Sequence, residues 1–118
     1  MGNKLDAIIK KVMLEGPLTI NTTTRSDIVD ISGVENSLSI QLDYENGVGL
    51  NADISVEVSV NSRDFVEIPE SIQNITDVNG THIWNFSEQG TNYIRVVITI
   101  NSGSLDIEEI ILSGKRRH

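Results

Sequence analysis

The chain has 118 residues, no cysteine and a formal charge of −8. That length can bury one self-supporting core; the missing cysteines exclude disulfides, thiolate nucleophiles and thiolate metal ligands, and no run approaches the roughly 18 apolar residues that cross a bilayer. Sixteen of the 17 acids lie between Lys11 and Lys115, against only Arg25, Arg63 and Arg95, so the body carries about −13 and repels phosphate backbones, which excludes nucleic-acid binding by that body.

Residues 3–14 carry Leu5, Ile8, Ile9 and Val12 at the i, i+3, i+4, i+7 spacing, which predicts a short amphipathic helix with Lys4, Lys10 and Lys11 mostly off the apolar face. Asn3 is its candidate N-cap, and Gly16-Pro17 ends it. No long apolar h-region follows Met1, so no secretory signal is expected. A helix this short is marginal alone and must dock, on its own domain or on a neighbour.

Beyond Pro17 the pattern turns to period two. Leu18–Thr22 and Ile28–Ile31 are short candidate strands, and Ser37–Tyr44 is a stronger one. Glu45-Asn46-Gly47-Val48-Gly49 reads as a loop, and Asp53–Val60 alternates apolar and polar residues without a break. Asn61-Ser62-Arg63-Asp64 reads as a turn, Phe65–Ile68 as a brief strand stopped by Pro69, and Asp77-Val78-Asn79-Gly80 as a turn between Ser71–Thr76 and Thr81–Phe86. Ser87–Thr91 is a loop, Asn92–Ile100 the longest strand, and Asn101-Ser102-Gly103-Ser104 a turn into Leu105–Leu112. The alternation slips between Glu109 and Ile110, which predicts a bulge. Eight or nine short strands separated by turns predict an all-β fold, a two-sheet antiparallel β-sandwich of jelly-roll type with a short N-terminal helix or arm. The expected organisation is an arm at 1–16, a sandwich domain at 17–114 and a basic tail at 115–118.

Chemistry is sparsely signalled. Of the two histidines, His118 is terminal, and His82 sits beside Ile83-Trp84 and reads as an outward, surface side chain. No hydrolase, zinc-protease or phosphate-loop motif occurs. The pairs Asp43/Glu45 and Glu108/Glu109 read as solvated carboxylates rather than a glycosidase pair. Asp43–Gly47, with Asn51 or Asp53, offers oxygens to calcium but lacks the spacing of an EF-hand loop. Sequons occur at Asn21, Asn74, Asn79 and Asn85, against roughly two expected by chance in so Asn/Ser/Thr-rich a chain, and read as compositional. No catalytic residue, cofactor or metal is expected. Trp84 and Phe86 read as core, Tyr44 as the better of two candidate sugar platforms with Trp84 the other, and Arg95 as a structural partner of a neighbouring acid.

Three segments carry a resemblance: Ser39-Ile40-Gln41-Leu42; Val58-Ser59-Val60-Asn61-Ser62-Arg63-Asp64-Phe65; and Tyr93-Ile94-Arg95-Val96-Val97-Ile98 followed by Ser102-Gly103-Ser104. Over about residues 37–115 their order resembles small β-sandwich virion proteins of tailed bacteriophages. The chain departs from the pattern at Arg63, where Asp or Gly is usual, and in its N-terminal segment. The resemblance implies a non-enzymatic auxiliary or decoration protein bound to the capsid in many copies, or a head–tail or tail component. It implies the major capsid protein or other virion proteins as partners, self-association as an option, no membrane, and a virion location after synthesis in the host cytoplasm. Leu5, Ile8, Ile9, Val12, Lys10, Lys11, Lys115, Arg116 and Arg117 are the candidate docking residues. The alternative is a carbohydrate-binding module or a tail or neck adhesin component.

Overall fold

The computed structural model describes residues 7–87 and 91–116 and, within these, leaves out the side chains of 7, 8, 35–37, 115 and 116. The described strands are β1 (Ala7–Ile20), β2 (Thr24–Arg25), β3 (Val29–Asp30), β4 (Val34–Ser59), β5 (Val66–Glu67), β6 (Gln73–Ile75), β7 (Gly80–Phe86) and β8 (Tyr93–Arg116), with one 3-10 turn at Pro69–Ser71. They join in one antiparallel sheet.

β4 and β8 pair from Val34↔Arg116 to Ser59↔Tyr93 and form its spine. β1 flanks the C-terminal half of β8, and β2 and β3 flank its N-terminal half. β7 flanks the first half of β4, and β6 and β5 flank the second.

This spine cannot be straight. Ile40 and Val56 are sixteen residues apart on β4, which in an extended strand is about 50 Å. Yet Trp84, the register partner of Ile40, donates its indole N–H to the Ser71 carbonyl at 2.7 Å, and the Val56 amide donates to Ser71 Oγ at 2.9 Å. On the opposite edge, the Asp27 amide, in the link between β2 and β3, donates to the Met13 carbonyl of β1 at 2.8 Å. The sheet therefore folds back on itself. Ile40, Leu42, Ile110 and Leu112 of one half share a single core with Ile54, Val56, Val96 and Ile98 of the other.

The fold line is local chemistry. Asn46 (φ 57°) and Gly49 (φ 56°) on β4 and Gly103 (φ 77°) on β8 occupy the left-handed region, and the register breaks between Glu45 and Val48 and between Val48 and Asn51. A side chain at Gly103 would put its Cβ 2.2 Å from the Val48 carbonyl oxygen. Both segments read as a loop and a turn; they instead carry two strands through a shared bend.

The short N-terminal helix is not formed: from Ala7 onward the segment is β1. Ile8, Ile9 and Val12 are β-branched and suit a pleated surface, and β8 offers a register of Ala7↔Arg116 to Ile20↔Leu105. Met13 bulges out of that register, between Val12↔Ile111 and Leu14↔Ile110, and is fully buried. Gly16-Pro17, expected to end a helix, lies in a second register shift of β1. Asn3 and Leu5 of the expected helix lie outside the described residues.

Other local readings hold. Asn61 Oδ1 accepts from the Arg63 and Asp64 amides at 2.9 Å in the expected turn, with Ser62 at φ 61°. The slip predicted at 109/110 is a bulge one position earlier: Asp43↔Glu109 is followed by Tyr44↔Ile107, leaving Glu108 unpaired.

Candidate docking surfaces

Register gathers what the sequence keeps apart. Ile8 faces Lys115 and Ala7 faces Arg116, while Lys115 and Arg116 lie opposite Glu35 and Val34 on their other side. Lys10 and Lys11, both exposed, follow on β1. Lys10 and Lys11 thus meet Lys115 and Arg116 at one end of the folded sheet. Val12 is half exposed there (50%) and Ile9 is partly buried. Leu5 and Arg117 lie outside the described residues.

The outward face of the half built from β1, β8, β4 and β7 is organised in rows. Lys10, Ser113, Ser39 and Asn85 form one; Val12, Ile111, Gln41 and Ile83 form the next. All of these except Val12 line a concavity of about 510 Å³. Ser39 Oγ donates to Asn85 Oδ1 at 2.6 Å, and Ile83 is half exposed (50%).

The following row, Glu15, Glu109, Asp43 and Thr81, is acidic, and the bulge adds Glu108 beside Glu45 and Asp106. A hydrogen bond with Glu45, then desolvation and the surrounding carboxylates, raises the Glu108 pKa above its ordinary value. Asp106 moves the other way, because Thr19 Oγ1 and Asn46 Nδ2 donate to it at 2.6 and 2.8 Å. Asp53 is likewise lowered by the Asn74 and Asn101 amides, which also bond Asn51 Oδ1. The oxygens weighed for calcium are therefore divided between separate networks. Among the described residues no group of three or more His, Asp or Glu side chains is arranged to hold a metal ion.

Both candidate sugar platforms are inside. Trp84 and Tyr44 are each 5% exposed. Tyr44 packs over Gly80, and burial, with Asp77 nearby, raises its phenol pKa. Neither ring offers a face to a ligand, a correction to the platform expectation for both residues. Trp84 and Phe86 are core, as read. His82 is also placed differently: it pairs with Leu42 on the inward face, half-buried, edge-on to Trp84 with ring centroids 4.6 Å apart. Burial lowers its pKa. It lines a cleft of about 360 Å³ with Glu70, Gln73 and Asn85. Arg95 behaves as read: its Nε lies 2.8 Å from Glu57 Oε1 across the register, with Phe65 stacked 4.0 Å beneath the guanidinium.

No family model matches the chain, and no curated protein matches it in sequence. Solved structures do match in fold. The SPBc2 prophage-derived protein YomS aligns over 98% of both chains with a TM-score of 0.61 at 7% identity. A segment of tailspike protein 4 of bacteriophage CBA120, 18% of that chain, aligns with 97% of this one (TM-score 0.58, 10% identity). A family 16 carbohydrate-binding module aligns over 80% of this chain and 72% of its own (TM-score 0.54, 12% identity). At these identities the likeness is one of fold: the chain has the fold of a prophage-derived protein over nearly the whole length of both.

Proposed function

We propose that this chain is a non-enzymatic structural component of a phage particle, an auxiliary or decoration protein bound to the capsid in many copies. In this reading the folded sheet is a two-layer β-sandwich of jelly-roll type, and the protein resides in the virion after synthesis in the host cytoplasm. The observation that carries it is the union of Lys10 and Lys11 with Lys115 and Arg116 at one sheet end, on a body that is otherwise acidic. Such an end meets an acidic patch on a partner while the body stays soluble. The whole-length fold likeness to a prophage-derived protein, and the recurrence of the fold within a phage tailspike, support a phage setting.

Co-sedimentation of the purified protein with particles that lack it tests the proposal. The expected result is saturable binding at a fixed ratio to the major capsid protein, weakened by salt and by the double substitution Lys10→Glu with Lys11→Glu. Absence of binding to the head overturns the decoration role, and the same assay on tails then places the protein there.

The second reading, a glycan-binding module or adhesin component, is favoured by the concave outward face and by a fold shared with a carbohydrate-binding module. Its site is not at Tyr44 or Trp84.

A further inference from the structure

We propose that the concave outward face of β1, β8, β4 and β7 is a cleft for a neutral, hydroxyl-rich glycan chain, a site that rests on the second reading above and specifies it. The two rows that form the cleft contain no carboxylate, in a body that carries 16 of the chain's 17 acids. Besides Lys10 their polar members are hydroxyls and amides, at Ser39, Ser113, Gln41 (whose Nε2 donates to Asp43 Oδ2 at 3.2 Å) and Asn85. Such groups both donate and accept, as sugar hydroxyls do, so one face can satisfy many ring orientations. Ser39 Oγ donates to Asn85 Oδ1 at 2.6 Å, which fixes the carboxamide and leaves its nitrogen as the donor toward a ligand. Ile111 and Ile83 lie on either side of Gln41 in the second row, with Val12 next to Ile111, and supply the aliphatic surface that the C–H patches of a sugar ring cover.

Charge selects the ligand class. The next row presents Glu15, Glu109 and Asp43, with Glu108 and Glu45 beyond. Uronates, sialates and phosphorylated glycans in the cleft lie about 7 Å from that row and are repelled; a neutral chain is not. Lys10, at the other end of the first row, is the one cation in these rows and acts as a further donor. Strand spacing of about 4.8 Å makes four strands about 14 Å across, room for a short run of sugar rings.

The test is native affinity electrophoresis in gels containing a neutral polymer (a mixed-linkage β-glucan, a galactomannan or a dextran), with polygalacturonate as the anionic counterpart. The wild-type protein is expected to be retarded by at least one neutral polymer and not by polygalacturonate. Ile83→Asp is expected to weaken that association by about tenfold or more, and Asn85→Ala to weaken it less, both with the wild-type melting curve. Thr99→Ala, on the outward face of the other half, is expected to leave it unchanged. If no neutral polymer retards the wild-type protein, the proposal falls together with the glycan reading; if polygalacturonate retards it more, the glycan reading stands and the neutral-ligand proposal is overturned. If retardation survives Ile83→Asp intact, the glycan reading stands and this cleft is the wrong site. If Ile83→Asp instead abolishes self-association in sedimentation equilibrium, or particle binding in co-sedimentation, while glycan retardation is unchanged, the face is a protein interface and the proposal is overturned.

Discussion

Gly103 holds the fold line from one side. With φ at 77° and the Val48 carbonyl 2.2 Å from where a Cβ would sit, Gly103→Ala must move β4 away from β8 at the bend. The expected loss is about 3 kcal/mol or more in urea unfolding; an unchanged midpoint would show that the bend is held elsewhere. Trp84 is the one tryptophan and spans from the β7 edge to Ser71. Its emission should be blue-shifted and poorly quenched by acrylamide, and Trp84→Phe should cost about 1–2 kcal/mol by orphaning the Ser71 carbonyl. Glu108 and Asp106, neighbours on one face, should respond to pH in opposite senses. The raised Glu108 pKa means that folding favours its protonated form, so its contribution is present in acid and lost as pH rises from the ordinary value of 4.5 through the raised one. Glu108→Gln should therefore raise the melting temperature at pH 7, with the gain shrinking toward pH 4. Asp106 is depressed, so its contribution is present at neutral pH and lost as pH falls through that lowered value; Asp106→Asn should destabilise most at neutral pH and least in acid. Both effects should diminish in salt, since both carboxylates are exposed to solvent. The sequence made the core residues of the alternating strands readable, and the buried Trp84 with them. It did not reveal the partners of these carboxylates, which lie up to 87 residues away, as with Thr19 and Asp106.

At the scale of the element, the instructive case is β1. Leu5, Ile8, Ile9 and Val12 satisfy a helical period, but that period counts only local spacing. The competing gain, hydrogen bonding along the exposed edge of β8 and burial of Met13, comes from residues about a hundred positions away. No window of the sequence contains it. The same distance hides the bend. Asn46, Gly49 and Gly103 carry the left-handed conformations that turn chemistry predicts at these segments, so the local signal was legible. Its outcome was not, because two bends in register fold a strand pair, whereas either one alone would end a hairpin. For experiment, removal of residues 1–14 is a poor probe of docking: it strips the first part of β1 from the sheet and should lower stability as well as binding. Reversing Lys10 and Lys11 leaves the ladder intact, and circular dichroism should stay at the wild-type level while particle binding falls.

Across the whole molecule, charge and connectivity separate. Lys10, Lys11, Lys115 and Arg116 gather at one sheet end of a body that is otherwise mostly acidic, and attachment through that end should lose affinity steeply between low and moderate salt. The sheet's connectivity has a different consequence, for synthesis. β1, β2 and β3 pair with β8 alone, and β4 shares its longest ladder with it. The first three strands thus leave the ribosome without a partner and wait for Tyr93–Arg116 to emerge. β4 can pair with β5, β6 and β7 before then, but the complete sheet forms only after β8 emerges, with the long-range pairing that makes folding slow. Nascent chains halted at Asn92 should remain protease-sensitive over β1, β2 and β3, and protection there should arise once β8 has cleared the exit tunnel.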